Sequence, residues 1–510
     1  MLVKLFSGAV NGIEATTITL EINILSGAQF IIVGLPDNAV KESQQRIDSA
    51  LREIGSRIPG RRVIINMAPA DVKKEGSSYD LPLCIGIMAA NEQLPADGLD
   101  EFVMLGELSL DGSLVAVRGV LPVAIHAHSE GFKNIIVPME NANEAAVVEG
   151  LNVYGFRHLS EVVLFLNRQK PVAPFVFHPD EQGSIEESLF DFKDVKGQES
   201  VKRALEIAAA GAHNLLMVGP PGSGKTMLAR RLPGILPPMT IEESLETTKI
   251  HSVAGKLSGT GSLITIRPLR SPHHTISNIA LIGGGVYPHP GEISLATNGV
   301  LFLDELPEFQ RSVLEVMRQP LEDRKITISR ARYCVDYPAN FMLIASMNPC
   351  PCGYYNHPTR ECSCNEGAVQ HYLSKISGPL LDRIDIHIEV VPVELDKITG
   401  QHETECSKTI KQRVIAARRI QTERFKEFPG IRCNAQMNPA LLKKYCHLDT
   451  QCTTLLKIAM QKFGLSARAY DRIVKLSRTI ADLEASAHIL PRHVAEAIQY
   501  RSLDRESWGK

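Results

Sequence analysis

The chain has 510 residues, 44% hydrophobic and 22% charged, a composition that fits globular domains and excludes collagen-like, disordered and coiled-coil classes. Its formal net charge of -2 gives no bulk attraction to nucleic acid or membrane, so any DNA contact must come from local patches. Such a length accommodates about two to four domains, each with its own core.

No uncharged apolar run is long enough to span a bilayer, and the N-terminal stretch MLVKLFSGAVNGIEA lacks the apolar centre of a signal peptide. The ten cysteines do not form a secreted disulfide framework: six are scattered, and four lie between Cys350 and Cys364. A cytoplasmic protein without membrane contact is expected.

Residues 1–168 alternate short apolar runs with turns. FIIVGL, RRVIINMAPA and KNIIVPME predict strands, while KESQQRIDSALREIG and the stretch around LPVAIHAHSEG predict helices. From 169 to 189 the periodicity stops in a proline-containing stretch, which predicts a linker. A second α/β pattern spans 190–393. Its strands NLLMVG, VLFLDE, FMLIASMNP and IDIHIEVV are almost wholly apolar, as in a parallel sheet covered on both faces. Residues 394–510 are helix-like and richer in Lys and Arg than in Asp and Glu.

The nucleotide motifs lie in the second α/β segment. Gly219, Pro220, Pro221, Gly222, Ser223, Gly224, Lys225 and Thr226 fit GxxxxGK[ST] between an apolar strand and a helix. Backbone N–H groups of such a loop turn inward around phosphate oxygens. Lys225 supplies charge to the β/γ-phosphates of ATP, and Thr226 a hydroxyl to Mg²⁺. The strand Val300–Leu303 ends in Asp304, suited to holding Mg²⁺ through water, and Glu305, suited to polarising the attacking water. Asn348 ends another strand, where its amide would sense the γ-phosphate or merely satisfy a turn. Arg383, in GPLLDRID, is either a surface ion pair or a finger for a neighbour's site.

The order of phosphate loop, acidic strand, Asn-ended strand, LLDR and helical lid resembles an AAA+ ATPase. The phrases LRSPHHTISNIALIGGG, PGEISLATNGVLFLDELPEF and SMNPCPCGYY are similar to those of the Mg-chelatase-like YifB/ComM proteins, and the resemblance covers nearly the whole chain. It implies that Lys225, Thr226, Asp304 and Glu305 form the ATP site and that Asn348 is its sensor 1. It further implies that Arg383 is a finger acting in trans and that Arg468 is the lid's sensor 2, with Arg472 and Arg478 nearby as alternatives. A finger in trans completes each site only at a subunit interface, and the resemblance implies a homo-hexamer.

Two CxC pairs, Cys350 with Cys352 and Cys362 with Cys364, flank the polar loop GYYNHPTRE and would give four thiolates to one structural Zn²⁺. Disulfides and unligated thiols are the alternatives. In the first domain, KEGSSYD resembles the serine motif of Lon-type proteases, with Ser78 in the nucleophile's place. The position of the Lon lysine falls on Leu121, which cannot act as a base, so peptidase activity is expected to be absent.

The expected fold is thus α/β. A Lon-protease-like (ribosomal S5 domain 2-like) domain spans 1–168 and a linker 169–189. An AAA+ P-loop NTPase core with a parallel sheet follows over 190–393, carrying a Cys-rich insert at 350–364, and a C-terminal helical lid spans 394–510.

Candidate DNA contacts are the basic stretch Arg57, Arg61, Arg62, Lys73 and Lys74; the insertion 241–293 with Lys249, Lys256, Arg267, Arg270, His273 and His274; and a hairpin-like stretch with Arg324, Lys325, Arg330 and Arg332. With aromatic residues at only 5%, binding would rest on the phosphate backbone and be salt-sensitive. The family resemblance implies an ATP-driven motor on single-stranded and branched DNA. That motor would be a helicase and branch-migration factor for integrating incoming DNA in natural transformation or recombination, with recombination proteins as partners. A metal-chelatase ATPase subunit is the first rival, opposed by the Lon-like domain and the CxC pairs. A protein-remodelling unfoldase or Lon-type protease is opposed by Leu121, and a non-enzymatic scaffold by the intact ATP residues.

Overall fold

Two long strands, Leu2–Asn11 and Glu14–Leu25, pair antiparallel from Leu2 opposite Asn23 to Asn11 opposite Glu14. Their inward residues Val3, Leu5, Ile18, Leu20 and Ile22 are buried, the period-two pattern of a sheet with a covered face. The computed structural model describes residues 2–178, 190–257, 263–285, 288–330, 333–355, 357, 359–393 and 404–501. Around the hairpin a seven-stranded mixed sheet forms in the order Phe30–Val33, Arg62–Ala68, Glu14–Leu25, Leu2–Asn11, Phe102–Met104, Asn134–Pro138, Asn152–Phe156. The helix Asp80–Ala90 is apolar on every side after its first residue, and accordingly every one of its residues is buried.

The second sheet has five parallel strands in the order Leu269–Arg270, Val300–Leu303, Met342–Met347, Leu215–Val218, Ile386–Glu389. Every residue of its three central strands is buried, which explains their unbroken apolar sequence. The strand leading to Asn348 lies between those leading to the phosphate loop and to Asp304. Three motifs far apart in sequence therefore meet at the C-terminal ends of neighbouring parallel strands. Helices Ser407–Arg424, Pro439–Tyr445, Thr450–Phe463, Ala467–Leu483 and Pro491–Gln499 form the helical C-terminal region expected from sequence as a lid.

The lid contains a buried ionic knot. Asp482 accepts from Arg424 at 2.6 and 2.7 Å, from Asn434 Nδ2 at 2.8 Å and from Arg478 Nε at 3.1 Å. Removing the one carboxylate strands two guanidinium groups. Asp482→Ala is therefore expected to destabilise the lid by about 3–5 kcal/mol, read as a lowered melting transition against wild type. A melting curve unchanged within error would show that the knot contributes little.

The chain forms two compact units, Met1–Glu181 with Ile241–Ile264, and Gln182–Thr240 with Thr265–Lys510. This grouping differs from the sequence-based boundaries in three ways, the first being that residues 169–178 of the expected linker belong to the N-terminal unit, with Phe175 N donating to Val153 O and His178 N to Asn143 Oδ1, each at 2.7 Å. ATPase core and lid form one unit, and residues 241–264 pack with the N-terminal unit instead of the core. The reason is local: on the helix Ile241–Val253, Ser252 Oγ donates to buried Glu144 at 2.5 Å, and Lys249 lies 3.7 Å from Glu14. Thr248 Oγ1 accepts from Ile264 N at 3.0 Å, folding the segment's far end back on the helix. Residues 179–189 of the expected linker and 394–403 at the expected start of the lid lie outside the described residues.

Candidate nucleotide site and metal cluster

The phosphate loop joins the strand Leu215–Val218 to the helix Lys225–Arg231, and Gly224 caps that helix at φ 88, a conformation only glycine takes easily. Lys225 is nearly buried. Its Nζ donates to Gly219 O and Pro220 O, each at 2.8 Å, and stands 3.3 Å from Asn348 Oδ1. Burial pushes the ammonium pKa down, against the pull of Asp304 and Glu305. Thr226 Oγ1 donates to Asp304 Oδ2 at 2.6 Å, while Ser346 Oγ and Glu305 N both donate to Asp304 Oδ1. Lys225, Thr226, Asp304 and Asn348 are thereby brought together. Gln198 steadies the loop from outside, donating to Ser223 O at 2.8 Å.

Glu305 follows at φ 54, a region that non-glycine residues rarely occupy, and its side chain is 58% exposed. His274 Nδ1 lies 3.8 Å from its carboxylate, and the His273 ring stacks on His274 with centroids 4.0 Å apart. Both histidines belong to the insertion 241–293, expected from sequence as a candidate DNA contact, and the structure puts them beside the acidic strand end.

Arg383 is 11% exposed. Its Nη1 donates to Pro379 O at 2.6 Å and its Nη2 pairs with Glu322. Its carbonyl accepts from Asn214 Nδ2 at 3.0 Å, which ties the segment to the base of the phosphate-loop strand. Among the three lid cations considered, Arg468 is 63% exposed and only 3.7 Å from Asp382. Arg472 and Arg478 are committed elsewhere. Arg472 donates to Asp385 at 2.7 Å, and Arg478 binds Asp482 together with the carbonyls of Ser486 and Ala487. Buried Asp385 also meets His213 at 3.2 Å. Burial alone would raise its pKa, but Arg472 and His213 hold the carboxyl well below the usual range. His213 Nε2 in turn meets Thr479 Oγ1 of the lid at 2.8 Å, so core and lid share one polar network.

The sulfurs of Cys350, Cys352, Cys362 and Cys364 all lie within 4.8 Å of one another. The separations 350–352, 352–362 and 350–362 are 3.3, 3.5 and 3.7 Å. Four sulfurs around a tetrahedral zinc at ~2.3 Å stand about 3.8 Å apart, so the set fits a tetrathiolate metal site. Such spacing is too long for a disulfide.

In the N-terminal unit Leu121 is fully buried, its N–H donating to Glu144 at 2.8 Å, so no base stands at that position. Lys74 is buried and donates to Pro69 O; it cannot serve as the exposed phosphate contact expected of it. Its neighbour Lys73 pairs with Glu75 at 2.8 Å, leaving Arg57 and Arg61 as exposed cations of that stretch. Other candidates are also committed to the fold. Arg267 donates to the carbonyls of Pro237 and Asn298, and Arg270 forms a two-pronged pair with Glu292.

Strands Lys325–Arg330 and Tyr333–Pro338 do form a hairpin, with Arg330 opposite Tyr333 and Lys325 opposite Pro338. Arg324 and Lys325 therefore stand at its base, not near the turn, and Lys325 pairs with Asp336 at 3.0 Å. Arg332 and the Arg330 side chain lie outside the described residues.

Sequence reasoning missed Ser346, Gln198, Asn214, Glu322 and His213. Ser346 alone carried a signal, a hydroxyl two residues before Asn348 in an otherwise apolar strand.

Three family descriptions match the chain: magnesium chelatase, subunit ChlI, over residues 191–398; subunit ChlI of Mg-chelatase over 20–141; and the ChlI C-terminal region over 404–501. Competence protein ComM of Haemophilus influenzae is 44% identical over 505 residues, covering 98% of this chain and 97% of its own. Protein YifB of Escherichia coli is 42% identical over 98% of this chain and 96% of its own. Lon protease 2 of Bacillus subtilis is 31% identical over 156 residues, 28% of this chain and 27% of its own.

Proposed function

The chain belongs to the YifB/ComM family of magnesium-chelatase-like AAA+ ATPases, and from that premise we propose that it is an ATP-driven ring motor on single-stranded and branched DNA. The observation that supports ATP chemistry best is the convergence of Lys225, Thr226, Asp304 and Asn348 within hydrogen-bond distance. Thr226 and Asp304 would hold Mg²⁺, which supplies charge to the β/γ-phosphates. Lys225 binds the same phosphates, Asn348 orients the γ-phosphate, and Glu305 takes a proton from the attacking water. Arg383 serves the neighbour's site, and Arg468 faces the nucleotide from the lid, so a hexameric ring is the working unit. The full-length relative named a competence protein directs the reading toward DNA, with branch migration during integration of incoming DNA or recombination as the task. Zn²⁺ at the four cysteines is part of the proposal.

The test is the ATPase rate with and without single-stranded and branched DNA. Stimulation that fades as salt rises is expected, because the contacts would be to phosphates. The matches to magnesium chelatase favour a second reading, an ATPase that remodels a protein partner. Hydrolysis indifferent to both DNAs would remove the DNA reading and leave that one.

A further inference from the structure

The segment carrying the four cysteines begins two residues after Asn348 and is mostly polar. Within residues 350–364, Cys350 and Gly353 are the buried residues among those described. Ordering such a loop costs about 1–2 kcal/mol of backbone entropy per residue, with little apolar burial to offset it. Its fixed points lie on the nucleotide site. Gly353, at φ 85, packs so closely on the phosphate loop that a Cβ there would come within 2.5 Å of Pro221 Cδ. Beyond the last cysteine, Asn365 caps the helix Glu366–Ser374, whose buried Tyr372 is hydrogen-bonded to the Asn348 backbone. The cysteine segment thus leaves from Asn348, rests on Pro221 and returns to Asn348.

We propose that the tetrathiolate site and the nucleotide site are thermodynamically linked, a zinc ion at Cys350, Cys352, Cys362 and Cys364 setting the positions of Pro221 and Asn348 and thereby raising the affinity for ATP. This rests on the reading of residues 219–226 as the ATP site. A metal that orders the loop in one arrangement favours the one position of Pro221 and Asn348 that goes with it. Linkage is reciprocal, so nucleotide also tightens the metal. The centre has four protein ligands and no open position, so its part is mechanical.

The experiment uses the full chain purified without chelator, measuring zinc by elemental analysis and the binding of a fluorescent ATP analogue with Mg²⁺. Wild type is expected to hold about one zinc per chain. The Cys362→Ser/Cys364→Ser double variant should lose the zinc and bind nucleotide about 5–150-fold more weakly. Gly353→Ala keeps all four thiols while pressing a methyl group on Pro221; it should retain zinc yet bind nucleotide about fivefold or more weakly. In wild type, zinc should resist a competing chelator better with nucleotide present.

Full zinc in wild type, its loss from the double variant, and nucleotide affinity unchanged in both variants would overturn the linkage and leave the ATP site intact. Wild type that binds nucleotide tightly without zinc would overturn the metal centre. Zinc-loaded wild type that binds no nucleotide would overturn the ATP-site reading itself. Circular dichroism of the double variant separates a local effect from global unfolding, and the resistance of wild-type zinc to a competing chelator with and without nucleotide carries the test if that variant does not fold.

Discussion

Glu305→Gln is expected to bind ATP with affinity close to wild type while its turnover falls by about 10²–10⁴-fold. The substitution keeps the side chain's size and removes its negative charge and with it the capacity to take a proton. Binding should survive because the proposal assigns the phosphates to Lys225 and the Mg²⁺ to Thr226 and Asp304, and because Asp304 is held by Thr226 and Ser346 independently of the Glu305 side chain. The backbone supports the assignment. Glu305 sits at φ 54, with its N–H on Asp304, and backbones held in such sparsely populated regions gather at functional sites. Its exposed carboxylate has room to meet a water. Steady-state hydrolysis beside a nucleotide titration reads both halves, and undiminished hydrolysis would sink the role.

Arg383→Ala is expected to lower turnover by about 10³-fold or more, since a finger stabilises charge that develops only in the transition state. The sharper result comes from mixing. A ring containing Arg383→Ala and Glu305→Gln chains has interfaces where one chain supplies an intact Glu305 and its neighbour an intact Arg383. Mixed rings should regain activity that neither variant shows alone. If Arg383 acted within its own chain, the mixture would stay as inactive as its components. In a single chain the guanidinium is engaged by Glu322 and by Pro379 O. A finger acting in trans would have to find a stronger partner than that one carboxylate, and Glu322→Gln in the wild-type background gives a simple comparison.

The convergence of Lys225, Thr226, Asp304 and Asn348 in the candidate nucleotide site was legible because its parts obey local rules. An apolar strand, a glycine-rich turn and a helix start are contiguous in sequence, and strands buried on both faces cannot hide their composition. The Asp385–His213–Thr479 network was not legible. A buried histidine or aspartate looks the same in sequence whether paired or solvated, and these three residues come from segments far apart in the chain. The Lon-like domain was recovered through phrases around Ser78 and Leu121, yet its founding hairpin, Leu2–Asn11 with Glu14–Leu25, was overlooked despite an Asn-Gly pair at the turn.

The helix Ile241–Val253 failed differently. Its buried residues are Glu243, Ser244, Thr247, Thr248, Ile250, His251 and Ser252, so the face that packs is polar apart from Ile250 and shows no hydrophobic period. Even a clear period would have told only that a face is covered, never by what.

That helix also bears on the order in which the protein takes shape on the ribosome. Domains ordinarily fold from the N-terminus as each is completed. Here the first unit acquires its last piece only when residues up to 264 have emerged, after the phosphate loop at 219–226 has been made. Until then Glu144 lacks the Ser252 hydroxyl, and the loop lacks the strands that carry Asp304 and Asn348. The first unit is therefore completed only after synthesis of the second has begun.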